Sequence, residues 1–126
     1  MSAVDADNVA WLQKVIEHLG WPGHTCVGME AARAAWLIAQ HADEHREFQE
    51  RALVLLRAAV EAGEAESWQL AYLTDRCLIR WQESQLYGTQ YRGAPLPIAE
   101  VEGLDERRAA VGLEPHAEYD ARMRAL

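Results

Sequence analysis

Lysine is almost missing from this 126-residue chain: Lys14 stands alone against eleven arginines. Phenylalanine occurs once, proline four times and cysteine twice. Two thiols this far apart, Cys26 and Cys77, make no disulfide framework and are expected to stay reduced. No C-x-x-C pair, phosphate loop, dinucleotide fingerprint or serine elbow occurs, so those chemistries have no motif to stand on. Positive charge is scarce as a whole. Twelve bases face 20 acids, for a net charge of −8. Such a surface repels phosphate backbones and anionic headgroups, so neither nucleic acid nor membrane is expected as a partner. No apolar run approaches the ~20 residues of a spanning helix. The start, Met1 to Asp7, is acidic and lacks the basic and apolar regions of a secretory signal, which points to the cytoplasm.

What is present is ordinary for a globular chain: half the residues are hydrophobic and a quarter charged. The length fits a single domain over 1–126. Helical spacing dominates, and the expected fold is mainly α: a compact bundle of about five or six helices. Asp5 or Asp7 can cap a first helix ending at Leu19, with Trp11, Leu12, Val15, Ile16 and Leu19 on one face and Gly20 as the stop. A loop follows through residues 20–28. An alanine-rich helix is expected over about 29–42, where small residues let a neighbour approach closely. A third spans about 44–62, with Asp43 as its N-cap. Ser67 caps a fourth, over 68–81. Residues 85–98 read as a small two-stranded or extended insertion, with prolines confining its second half to an edge. Short helices over 104–111 and from Pro115 to about 125 complete the chain.

Several strings give this chain a family likeness. They are Gly20-Trp21-Pro22-Gly23, Ala35-Trp36-Leu37-Ile38-Ala39-Gln40-His41-Ala42-Asp43, Leu70-Ala71-Tyr72-Leu73-Thr74-Asp75-Arg76, Gln85-Leu86-Tyr87-Gly88-Thr89-Gln90 and Arg107-Arg108-Ala109-Ala110-Val111-Gly112-Leu113. In this order and spacing the chain resembles DUF6624, a bacterial family of unknown function. The resemblance runs from about Trp11 to Tyr119 and implies no established reaction. The segments Glu44-His45-Arg46-Glu47 and Arg80-Trp81-Gln82-Glu83 replace turns that the family tends to have, which fits a member with a changed substrate.

His41 shares a helical face with Ala34, Leu37 and Ile38, so the spacing predicts an imidazole pointing inward. A lone histidine on such a face more often holds a carbonyl. The polar neighbours and the family-like string favour a site, where a neutral imidazole serves as general base. Asp75 lies on the apolar side of the fourth helix with Trp68, Ala71, Tyr72 and Ile79. A carboxylate there needs a partner, and Arg76, His41 or the Thr89-Gln90 segment can supply one. It orients the base or ties the insertion to the helix. Tyr87, Thr89 and Gln90, with Gln40, Asp43, Arg76 and Trp68, are the expected substrate-binding groups. Trp11 and Trp36 are expected in the core. His41-Ala42-Asp43-Glu44-His45 also matches an inverted zinc-protease pattern. No third ligand follows it, so no metal and no organic cofactor are expected.

These residues suit a small cofactor-independent enzyme using histidine acid–base chemistry on a peptide or small polar substrate. One reaction within reach is addition of an amine to dehydroalanine, which makes a lysinoalanine crosslink and needs only orientation and proton transfer. The alternative is a non-catalytic module that binds a peptide or protein. A homodimer is also expected, because Leu53, Val54, Leu55 and Leu56 in succession face several directions, and Trp68 and Trp81 add apolar surface. Light scattering at micromolar concentration should therefore give about twice the 14.2 kDa chain mass. A mass that stays at one chain on concentration would make the leucine run plain core.

Overall fold

The apolar residues of the first helix that end up buried, Val9, Leu12 and Ile16, recur at three- and four-residue spacing. Leu19 stands just outside that arc and Trp11 about 100° from it, and they are 59% and 52% exposed, so the tryptophan expected in the core faces solvent instead. In the computed structural model, which describes residues 3–126, this helix, α1, spans Ala3–Leu19. Contacts divide the chain into two units, 1–70 and 71–126. The fold is mainly α, with seven α-helices among the described residues. None is long and apolar enough to cross a membrane.

The first unit continues with α2 (His24–Val27), a single turn inside the expected loop, then α3 (Met29–Gln40) and α4 (Arg46–Glu61). Helix α3 packs against α1, α2 and α4. Its buried face is Ala32, Ala35, Trp36 and Ala39, three of them small enough for close approach. Residues 41–45 separate α3 from α4 without glycine or proline. Asp43 does not cap α4, whose N-cap is His45. Instead its Oδ1 lies 3.2 Å from Gln49 Nε2. The same buried amide donates to the carbonyls of Ala39 (3.0 Å) and Gln40 (3.3 Å), so one side chain of α4 satisfies the end of α3. Leu53 and Leu56 are buried and Leu55 half-buried, which leaves Val54 as the exposed member of the apolar run.

Helix α4 ends in a Schellman arrangement, with Gly63 N donating to Val60 O and Glu64 N to Ala59 O. Glu64 then holds the turn before α2. Its backbone oxygen accepts from His24 N at 3.0 Å. Its carboxylate accepts from Thr25 N at 2.8 Å and Thr25 Oγ1 at 2.5 Å. Gly23 sits so close that an added Cβ would lie 2.7 Å from Glu64 Cβ.

The division between units falls inside α5 (Ser67–Arg80). The second unit then holds β1 (Tyr91–Arg92), β2 (Ala94–Pro95), a 3-10 turn (Val101–Gly103), α6 (Leu104–Ala110) and α7 (His116–Arg124). The expected insertion over 85–98 contains no strand longer than two residues: β1 and β2 form a minimal antiparallel pair around Gly93, and Gln85 bridges Ile98. Side chains rather than a ladder order this stretch. Neither cysteine forms a disulfide; Cys26 is exposed and Cys77 buried.

The Thr25 hydroxyl, followed by its amide, pulls the Glu64 pKa below the ordinary 4.5. A carboxylate lowered in the folded state stabilises above its unfolded pKa and loses that contribution as pH falls through the folded value. Acidification below the ordinary carboxylate range should therefore release the Thr25 amide, visible as a shift of its 1H–15N NMR resonance. Glu64→Gln should remove that response, and an unchanged Thr25 resonance in the wild type would refute the tie.

Candidate functional site

Residues 85–90 have little regular structure of their own, yet nearly every backbone polar group in them is engaged. Asp75, fully buried on α5, meets the donors. Its Oδ1 accepts from Leu86 N (2.8 Å) and Tyr87 N (3.0 Å). Its Oδ2 accepts from Thr89 N (3.1 Å) and Thr89 Oγ1 (2.8 Å). Burial pushes the carboxyl pKa up, and the four hydrogen bonds oppose that rise. The acceptors are met from the other side of the loop. Arg107 Nε donates to Leu86 O (2.8 Å), Arg108 Nη1 to Tyr87 O (2.6 Å) and Tyr119 Oη to Thr89 O (3.2 Å). Arg108 is 1% exposed, and its guanidinium lies 4.9 Å from the Tyr119 ring centroid.

Glutamines close the same network. Gln85 Nε2 donates to Gln90 O and Leu96 O, and its Oε1 accepts from Gln90 N. Gln90 Nε2 donates to Thr89 Oγ1, and its Oε1 accepts from Arg76 Nη1 at 3.2 Å. Gly88 has φ +68°, and a Cβ there would lie 2.7 Å from His116 Cδ2. A side chain at 88 is thus excluded twice, by conformation and by space. Beyond it, Tyr91 Oη donates to Asp120 Oδ1 at 2.6 Å and lies 3.3 Å from His116 Nε2. Arg124 Nε holds Asp120 Oδ2 at 2.7 Å. Burial and Asp120 together push the Tyr91 phenol up to about 12.

The first unit carries an open cleft of about 170 Å³ between α1 and α3. Asp5, Asn8 and His41 supply its polar groups, and Val9, Leu37 and Ile38 its apolar wall. His41 is exposed, not inward as the helical spacing predicts. The face it shares with Ala34, Leu37 and Ile38 is not the buried one: Ala34 is exposed, Leu37 and Ile38 are half-buried, and the core side of α3 is Ala32, Ala35, Trp36 and Ala39, with His41 as the C-cap at φ −98° and ψ 7°. His45 lines a different, wider depression with Asp43 and Glu44. Among the described residues no three His, Cys, Asp or Glu side chains are placed to hold a metal ion.

A family model described as a family of unknown function, DUF6624, matches residues 1–125. The chain belongs to this family. No curated protein and no solved structure matches it.

In this DUF6624 chain the strings that give the likeness sort into two groups. Asp75, Arg76, Thr89 and Gln90 come together in the second unit, bound chiefly to one another and to backbone. Tyr87 joins them through its amide and carbonyl, its side chain half-buried. We read Asp75 as a positioning group for the loop. In the first unit His41 opens onto the cleft. Gln40 is buried and Asp43 half-buried, both engaged by Gln49. Trp68 is half-buried, edge-on to Trp36 with centroids 4.9 Å apart. Asp5, Asn8, Tyr91, His116 and Asp120 carry no sequence motif. Gln85 and Arg108 lie in family-like strings, which was the one signal for them.

Asp75→Asn keeps the shape but turns an amide NH2 towards two of the four donors. It should cost about 2–4 kcal/mol of stability, because buried donors lose their acceptor. Urea unfolding measures this, and a loss below about 1 kcal/mol would show that the loop does not depend on the carboxylate.

Proposed function

We propose that this chain is a small enzyme that modifies a peptide by acid–base chemistry at the His41 cleft of the first unit. One observation carries the reading: an accessible imidazole shares an open cleft with a carboxylate and an amide, beside an apolar wall. The polar groups around residues 85–90 serve to order their own loop. The cleft holds a side chain rather than a whole metabolite, which suits a peptide that lies along the surface. The net charge of −8 favours a basic peptide.

For amine addition to dehydroalanine the atoms balance without a redox partner. His41 takes a proton from the substrate ammonium, which Asp5 attracts into the cleft. The freed amine forms a C–N bond to the dehydroalanine β-carbon as the C=C π bond breaks. The imidazolium returns its proton to the α-carbon. Asn8, on the same cleft, orients the peptide.

The test uses a peptide containing dehydroalanine and lysine, incubated with substoichiometric protein. The crosslinked product has the same mass, so it is read as loss of the adduct that dehydroalanine forms with added thiol. Wild-type protein should consume the alkene, and folded His41→Gln should be slower by about 10²-fold or more. A full rate in His41→Gln would overturn the role of His41. Stoichiometric binding without turnover would favour the binding-module reading.

A further inference from the structure

The first unit has a second cavity that the proposed chemistry leaves unused. It lies at the N-terminal end of α3, has a volume of about 360 Å³ and a mainly apolar wall. Trp68 and Met29 form that wall, with Glu30, Glu66 and Arg33 around it. Trp68 is a fixed surface, since its ring meets the buried Trp36 edge-on at 76°. Met29 is 63% exposed, a large apolar group left in solvent. Two carboxylates against one guanidinium give the rim a formal charge of −1, counting as neutral the His24 imidazole that also lines it.

We propose that this cavity receives a basic side chain of the same peptide substrate, as a subsite separate from the reacting position. The inference rests on the peptide reading above. A lysine suits the apolar wall and the rim around it: its methylenes cover Trp68 and Met29, and its ammonium stays at the rim by Glu30 and Glu66. A purely apolar side chain would leave the carboxylates unused, and an acidic one would be repelled. The position relative to His41 supports a shared substrate. Glu30, Arg33, Leu37 and His41 follow one another at spacings of three, four and four, which places them along one side of α3. Eleven residues of helix cover about 16 Å, the length of roughly five residues of extended peptide. A peptide lying on that side would thus carry its basic residue about five positions from the residue that reacts.

The probe is Nα-acetyl-lysine methylamide, with the norleucine analogue as its uncharged control. Both are titrated into 15N-labelled full-length protein to about 10 mM, because a ligand this small binds weakly. The lysine probe should shift the Trp68 indole N–H and the Met29 and Arg33 amides, and bind several-fold more tightly than norleucine. Glu30→Gln with Glu66→Gln should erase that preference while leaving the fold intact. His41→Gln should bind the lysine probe like wild type, so this measurement survives a failure of the catalytic reading. No shift at Trp68, or equal shifts from norleucine, would overturn the subsite.

Discussion

A carboxylate with no access to water holds the second unit together. Asp75 has four lone-pair directions and four donors, three backbone amides and a hydroxyl, all from residues 86–89. Burying such a group is costly unless its hydrogen bonds are complete. Here completeness fixes the loop, because only one backbone path brings those donors together. The carbonyls that this path turns outward need donors in their turn, and Arg107, Arg108 and Tyr119 meet them. Gly88 follows from the same path: its positive φ is part of the curve around the carboxylate, and the space beside it is filled by His116. Regular strand pairing is unnecessary in a segment so fully bonded, which explains why only two-residue strands remain.

The first unit is ordered by different means. Alanines on α3 allow backbone-close packing, and a glutamine amide from α4 satisfies the carbonyls at the α3 end. The interruption at 41–45 needs no glycine because the Gln49 amide supplies what the helix end would otherwise take from water. It also leaves His41 at a helix terminus, on the side of α3 away from the buried alanines.

The helices were legible in the sequence because their apolar spacing is strong and Gly20 and Gly63 mark their stops. Asp75 was legible too: a carboxylate on an apolar face demands donors, and Thr89 was among those anticipated. Trp11 and His41 were not. Each sits about 100° or more around its helix from the nearest buried residue, and the apolar neighbours that suggested burial, Val15 beside Trp11 and Leu37 and Ile38 beside His41, are themselves only half-buried. The role of Arg108 was also hidden. Arginine on a seven-residue helix reads as a surface charge, and only the outward carbonyl of Tyr87 makes its burial favourable. Asp5 and Asn8 become neighbours of His41 through the packing of α1 on α3, which no local pattern encodes.

The ties that order the second unit are short in sequence. Asp75 reaches partners 11 to 14 residues away, Arg108 to Tyr87 spans 21, and the longest, from Tyr119 to Thr89, spans 30. Loop closures of this size cost little more entropy than a hairpin. Each can form as soon as α5 and the following few dozen residues exist. Folding of this half is therefore governed by how quickly one helix finds a nearby loop, a search of low contact order that belongs to the fast end of folding rates.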